Sequence, residues 1–150
     1  MKAASIFAIF LWLILAAQAQ AQTNQSAPVP TLSYDELMRN KDAYLEKTVR
    51  LRAFWIYGFE YNNLCGESDC PFETWVGFIY ADNLCKGSKA RLKKGGGKRD
   101  NKAEVVFVGK LSSGSFGHLG ASPYQFTVSC VEKLRKLKVD LKKLIKSNEQ

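Results

Sequence analysis

Eight basic residues crowd into the segment from Lys86 to Lys102, against one acidic residue. They are Lys86, Lys89, Arg91, Lys93, Lys94, Lys98, Arg99 and Lys102. A cationic cluster of this density attracts polyanions such as nucleic acid, anionic lipid headgroups and acidic glycans. The alternative is that lysine-rich loops keep a protein in solution and block unwanted strand pairing. The segment predicts either an anion-binding surface or a solubility feature, and it is the clearest binding signal in the chain.

The basic character extends beyond that segment. The 150-residue chain has 22 lysines and arginines against 14 acidic residues, a net charge of +8. The stretch from Glu132 to Lys146 adds seven basic residues and two acidic ones. Both basic stretches therefore favour an anionic partner over a cationic one.

The cysteines indicate covalent cross-links. There are four, Cys65, Cys70, Cys85 and Cys130. An even number predicts two disulfides if the chain is exported, as the signal-peptide pattern described below indicates. Four cysteines allow three pairings, and the sequence does not choose among them. We favour Cys65–Cys70 across a short turn and Cys85–Cys130 across a long loop. The spacing does not match a zinc site, and there is a single histidine, so no metal or cofactor is predicted.

His118 is the one candidate for acid–base catalysis, since histidine is the usual general base near neutral pH. Ser115 lacks the glycine surroundings of a hydrolase nucleophile, and the sequence identifies no other partner. The alternative is a turn histidine whose ring nitrogens bond to the backbone. We therefore predict no catalytic residues and keep a hydrolase using His118 as a further hypothesis.

Aromatic side chains beside a basic groove can stack on the bases of single-stranded nucleic acid. Trp55, Tyr57, Phe59 and Tyr61 share the parity of Val49 and Leu51, which places them in the predicted interior. Trp75 lies on the face opposite Val76 and Phe78. Trp75 is therefore the ring predicted to be exposed and able to stack on a base.

The first 21 residues have the layout of a secretory signal peptide. Lys2 precedes an apolar run from Ile6 to Ala17, and two overlapping Ala-x-Ala patterns follow it. The run is short for a membrane span, so an uncleaved anchor is the less favoured alternative. We expect a periplasmic or secreted protein with no stable membrane span after cleavage, and a flexible leader over residues 22–31.

The hydrophobic pattern predicts a mainly β domain over residues 32–138 with one N-terminal helix. Ser33 and Glu36 form a capping box that begins a helix of about ten residues. Alternation from Val49 to Tyr61 predicts a long first strand that bends at Gly58. Further strands are predicted at Phe72–Ala81, Leu84–Leu92, Ala103–Leu111 and Tyr124–Leu134. Ser112–Pro123 reads as a connection, and residues 139–150 as a basic helix or tail.

This arrangement favours a five-stranded OB-like barrel, which begins with a long bent strand. Five segments also resemble small exported bacterial proteins of unknown function that have such a barrel. The segments are Leu32–Leu37, Asn40–Tyr44, Lys47–Ala53, Gly117–Ala121 and Tyr124–Val128. The resemblance covers Leu32 to about Leu134; it implies a fold and lends no activity.

Three functional hypotheses follow. The first is a non-enzymatic binding or interaction module at the cell envelope, with a protein or an anionic polymer as partner. The second is a barrel that binds polyanions or nucleic acid through the basic segment 86–102. The third is the hydrolase using His118.

Overall fold

A computed structural model describes residues 28–67, 69–95 and 101–137. The elements in chain order are β1 (Thr31–Ser33), α1 (Tyr34–Arg39), α2 (Lys41–Tyr44), β2 (Thr48–Tyr57), β3 (Asn62–Cys65), β4 (Thr74–Phe78), α3 (Ser88–Gly95), β5 (Asn101–Phe116) and β6 (Ser122–Leu137). The predicted signal peptide (1–21), most of the leader (22–31), the tail (139–150), Lys98 and Arg99 lie outside the described residues.

Two short helices replace the single helix predicted after Ser33. The capping box forms: Glu36 N donates to Ser33 Oγ at 3.3 Å, and Ser33 N donates to Glu36 Oε2 at 2.7 Å. Asn40 then ends α1, because its φ of −116° and ψ of 26° lie outside the helical region. Its side-chain amide donates to Glu36 O, one of the last carbonyl groups of the helix. The helical path restarts at Lys41 as α2.

Strand β2 follows the predicted alternation but is shorter than predicted. Val49, Leu51, Ala53, Trp55 and Tyr57 are all buried, so the odd positions do face the core. The prediction is wrong beyond Tyr57: Gly58 begins a turn, closed by a 2.8 Å hydrogen bond from Gly58 N to Tyr61 O. The turn redirects the chain, and Phe59, predicted to be interior, is 96% exposed.

Strand β3 was not predicted, and β4 is shorter than the predicted Phe72–Ala81. Strand β3 begins with two polar residues, Asn62 and Asn63, and the hydrogen bonds of Asn62 hold them in the sheet. Trp55 Nε1 donates to Asn62 Oδ1 at 2.6 Å, and Asn62 Nδ2 donates to Val76 O at 2.7 Å. This amide therefore joins β2, β3 and β4.

The predicted strand Leu84–Leu92 is wrong, because this region contains the helix α3. Ala, Arg, Leu and Lys from Ala90 to Lys94 are all strong helix formers, and no period-two pattern opposes them. Lys93 and Lys94 lie in the last turn, where cations interact favourably with the helix dipole.

Strands β5 and β6 are longer than predicted and form a hairpin across the predicted connection Ser112–Pro123. Residues 112–116 and 122–125 pair with each other. A short 3-10 turn, His118–Gly120, joins the two strands. Gly117 and Gly120 have φ of +74° and +72°, values that glycine adopts without steric cost.

All six strands belong to one sheet, in the order β1-β2-β3-β4-β6-β5. Neighbours are antiparallel except for β1 with β2 and β4 with β6, which are parallel. Strand β5 pairs with β6 on one edge and with β2 along residues 101–110 on the other. Pairing thus runs from β2 through β3, β4, β6 and β5, and returns to β2.

The core lies against the inward faces of these strands. Phe107 and Phe126 are its largest fully buried side chains, and Leu37 of α1 packs into the same cluster. The structure contains both disulfides in the pairing we favoured, Cys65–Cys70 and Cys85–Cys130. Within the described ranges, no helix is long and apolar enough to cross a membrane.

Candidate functional site

Helix α3 lies against the part of β6 that β4 does not reach. The pairing of β4 with β6 ends at Val128, which leaves the backbone of β6 beyond it without that neighbour. Val131 N donates to Oγ of the buried Ser88 at 2.9 Å, and Arg91 Nη1 donates to Val131 O at 3.1 Å. Two α3 side chains therefore replace the hydrogen bonds of a missing strand.

The Cys85–Cys130 disulfide fixes the same junction covalently. Cys130 directly precedes Val131, and Cys85 is three residues before Ser88. The Ser88 hydroxyl lies 3.0 Å from Cys85 Sγ; since a disulfide sulfur carries no hydrogen, the hydroxyl is the donor. The basic helix is therefore held on β6 by a disulfide and two hydrogen-bonding side chains.

A groove of about 420 Å³ runs between α3 and β6, and we call it the basic groove. It is lined by Arg91, Lys94, Glu132, Lys133, Leu134 and Lys136. All four lining cations are exposed. Two elements distant in sequence thus combine their positive charge on one surface.

The carboxylates near the basic groove are already engaged by cations. Arg50 Nε donates to Glu132 Oε2 at 2.8 Å and Arg50 Nη2 to Glu132 Oε1 at 3.0 Å. This pairing raises the pKa of Arg50. A single carboxylate, Glu104, accepts from both Lys133 and Arg135. Arg50, outside the basic groove, therefore neutralises Glu132, and Glu104 is shared by two cations. The basic groove keeps an excess of positive charge.

Hydrogen bonds from Lys133 and Arg135 also lower the pKa of Glu104. This carboxylate stays ionised near neutral pH and holds the Lys133 side chain at 2.8 Å. Lys94 and Lys136 have no such carboxylate partner among the described residues. These two lysines are the groove cations most available to a ligand.

The other predicted binding residues are distributed differently. Lys86 and Lys93 are exposed, while Lys89 pairs with Asp82 at 2.6 Å. That contact lowers the pKa of Asp82. Lys102 lies on β5, with Nζ 4.5 Å from the centre of the Phe54 ring. Of the predicted residues that the structure describes, Arg91 and Lys94 line the basic groove.

Trp75 is not brought next to α3. It is half-buried on β4, where it pairs with Asn63 and Gln125. A Cβ at Gly117 would lie 2.4 Å from Cε3 of its ring, so the backbone covers part of the indole. Val131, where α3 attaches, lies farther along β6 than Gln125 by about 20 Å at the usual strand rise.

His118 is exposed in the turn between β5 and β6. Its backbone carbonyl accepts from Ala121 N at 3.2 Å. Within residues 28–67, 69–95 and 101–137, no hydrogen bond or ion pair involves its imidazole, so the predicted ring-to-backbone bonds are not found. The hydrolase hypothesis requires a second acid–base group, and in that part of the chain none is hydrogen-bonded to the imidazole.

Sequence reasoning missed Lys133 and Lys136 as groove residues. Their signal was the basic stretch from Glu132 to Lys146, which we counted as charge without assigning it to a surface. A second cleft, of about 330 Å³, is lined by Asp35, Arg52, Glu67 and Glu104 among others. Its carboxylates outnumber its cations, so it does not suit an anionic ligand. No cluster of potential metal ligands occurs in the described ranges.

A scan against models of protein families, a search of curated proteins and a search of solved structures each found no match.

Proposed function

We propose that this protein is a non-enzymatic binding module that takes an anionic polymer in the basic groove. The observation that carries the proposal is the convergence of Arg91, Lys94, Lys133 and Lys136 on one groove of about 420 Å³. If the cations came from a single helix, their interaction with the helix dipole at its C-terminal end would explain them equally well. Cations from two distant elements that share one groove are better explained by an anionic ligand.

Rigidity supports the same proposal. The disulfide, Ser88 and Arg91 hold α3 on β6, so the backbone that presents the cations loses little entropy when a polymer binds. Preorganised charge gives more affinity than the same charge on a disordered loop. The ligand class is a chain bearing repeated phosphate, sulfate or carboxylate groups.

We also propose that the sheet is an OB-like barrel, the finer fold expected from the sequence. The support is the return of pairing from β5 to β2, together with a helix between β4 and β5. Export is proposed as well: the two disulfides favour an oxidising compartment such as the periplasm or the exterior. A mature N-terminus between Ala19 and Gln22, measured by mass spectrometry of the exported protein, would support cleavage. A retained Met1 would refute it.

The test of the binding proposal is a titration with fluorescent single-stranded DNA and with heparin across a salt series. If four cations contact phosphates, affinity for single-stranded DNA falls about 50-fold from 50 to 200 mM salt. The double variant Lys94→Gln/Lys136→Gln removes the two lysines without carboxylate partners. In this variant the affinity for single-stranded DNA should fall only about sevenfold over the same salt range.

The matched control is Lys47→Gln/Lys110→Gln, which removes the same charge. Thr48 pairs with Lys110 at the beginning of β2, the opposite end from Tyr57. This control should bind as the unchanged protein does. If both double variants weakened polymer binding equally, the effect would be one of net charge, and the groove would be refuted as the binding site. Absence of binding to either polymer at 50 mM salt would refute the proposal as a whole.

A further inference from the structure

Two large aromatic side chains stand in solvent at chain turns. Phe59, in the turn between β2 and β3, is 96% exposed, and Tyr80, just after β4, is 86% exposed. Single exposed apolar residues are common and need no explanation. These two differ because of their position relative to the basic groove.

Strand register places both rings at the same end of the sheet. Asn63 pairs with Trp75 and Leu64 with Thr74 in an antiparallel ladder. Asn62, which follows the turn containing Phe59, donates from Nδ2 to Val76 O at 2.7 Å. Strand β4 continues from there to Phe78 and leads to Tyr80, and adjacent strands lie about 5 Å apart. The two rings therefore project from neighbouring loops on one end.

The basic groove lies at that end too. Phe78 pairs with Val128 on the parallel neighbour β6, and α3 is attached to Val131, just beyond that point. Lys102 pairs with Leu137, next to Lys136. By contrast, Leu119, which is 92% exposed, lies in the β5–β6 turn at the opposite end.

Aromatic rings at loop tips beside a basic surface match the chemistry of an anionic bilayer. Phenylalanine and tyrosine favour the headgroup region, where apolar contact and water are both available. Lysines near an anionic leaflet each raise membrane affinity by about fivefold. Base-stacking surfaces instead use rings beside a groove that follows the strand backbone, and the ring we had predicted for that role, Trp75, is partly covered by Gly117.

We propose that this end of the sheet docks on an anionic lipid bilayer. Phe59 and Tyr80 enter the headgroup layer, and the basic groove faces the anionic headgroups. The inference rests on the proposed function, since it uses the anion-binding cations of the same groove and extends their ligands from an anionic polymer to the headgroups of an anionic bilayer.

The test is flotation of the oxidised protein, purified after export, with vesicles of phosphatidylglycerol and phosphatidylcholine. Vesicles of phosphatidylcholine alone are the reference. The variant Phe59→Ser/Tyr80→Ser should bind the anionic vesicles at least about tenfold more weakly and elute from heparin at the same salt as the unchanged protein. Leu119→Ser, an equally exposed apolar residue at the far end, should change neither result.

The outcomes separate the two proposals. The membrane inference is overturned if Phe59→Ser/Tyr80→Ser binds vesicles as the unchanged protein does, or if the unchanged protein shows no preference for anionic vesicles. In either case, heparin binding by the unchanged protein leaves the proposed function standing. Weaker single-stranded DNA binding by that variant, without vesicle binding by the unchanged protein, overturns it in favour of base stacking. Both proposals are supported if Lys94→Gln/Lys136→Gln weakens binding to heparin and to vesicles, while Phe59→Ser/Tyr80→Ser weakens binding to vesicles alone. Melting curves of all variants confirm folding, which is expected because the altered side chains are exposed.

Discussion

The two disulfides close loops of very different length, so their removal should have unequal effects on stability. Cys85 and Cys130 are 45 residues apart, whereas Cys65 and Cys70 are 5 apart. The chain-entropy relation gives a stabilisation of about 4 kcal/mol for the long loop and about 2 kcal/mol for the short one. The double variant Cys85→Ala/Cys130→Ala should therefore lose about twice as much free energy of unfolding as Cys65→Ala/Cys70→Ala.

Local contacts do not remove this difference. Without the disulfide, α3 keeps the hydrogen bonds of Ser88 and Arg91 to Val131, so the folded state retains its packing. The loss then arises chiefly from the greater freedom of the unfolded chain.

Urea unfolding followed by tryptophan fluorescence measures these losses, and constant slopes show that the transition remains two-state. The variant lacking all four cysteines should lose the sum, about 6 kcal/mol, and the reduced unchanged protein should match it. A reductant should leave that variant unaffected. Equal losses for the two bridges, or a larger loss for Cys65–Cys70, would refute the reasoning from loop length.

Three further predictions concern single side chains. Burial raises the pKa of Tyr34 from 10.0 to about 12, so the protonated phenol stabilises the fold below pH 10 and this contribution is lost as the pH rises towards 12. The decline, about 2–3 kcal/mol, should be absent in Tyr34→Phe when urea midpoints are compared across that pH range. The pKa of Glu104 is lowered by Lys133 and Arg135, so Glu104→Gln should be the less stable protein at pH 7, and the difference should shrink as the pH falls from the unfolded pKa through the folded pKa of Glu104. A pH-independent difference between them would contradict this account. His118→Ala should melt within about 3 °C of the unchanged protein, because an exposed side chain whose imidazole has no hydrogen bond or ion pair to the described residues contributes little; unfolding at 25 °C would contradict that.

The sequence predicted the parts of the fold that are governed by local pattern. The alternation from Val49 to Tyr57 identified the buried face of β2, and the capping box of Ser33 and Glu36 formed as expected. These signals are strong because each depends on neighbouring residues alone. The disulfide pairing was also correctly favoured, although only the fold brings Cys85 next to Cys130.

The errors arose where longer-range contacts decide the structure. Strand β3 begins with two asparagines, which disfavour a strand, and it forms because Asn62 bonds to Trp55 and Val76. Gly58 was interpreted as a bend within a strand, but the pairing of β2 with β3 makes it the start of a turn. Helix α3 was interpreted as a strand because Ala90–Leu92 precede a break of three glycines, Gly95–Gly97.

The candidate site was half predictable. Charge density pointed to the basic segment and thus to Arg91 and Lys94. Lys133 and Lys136 could not be assigned to the same surface, since their proximity to Arg91 and Lys94 depends on α3 bonding to the part of β6 beyond its pairing with β4. Trp75 was selected by parity alone, which gives a face of the strand but not its distance from α3.

The most direct test of the account is to map where a short heparin-derived oligosaccharide binds, by NMR chemical-shift perturbation of the oxidised, exported protein. We expect the largest shifts at Arg91, Lys94, Lys133 and Lys136, and we expect them to weaken as salt is raised. Shifts concentrated around Lys47 and Lys110, or spread evenly over all exposed lysines, would contradict it.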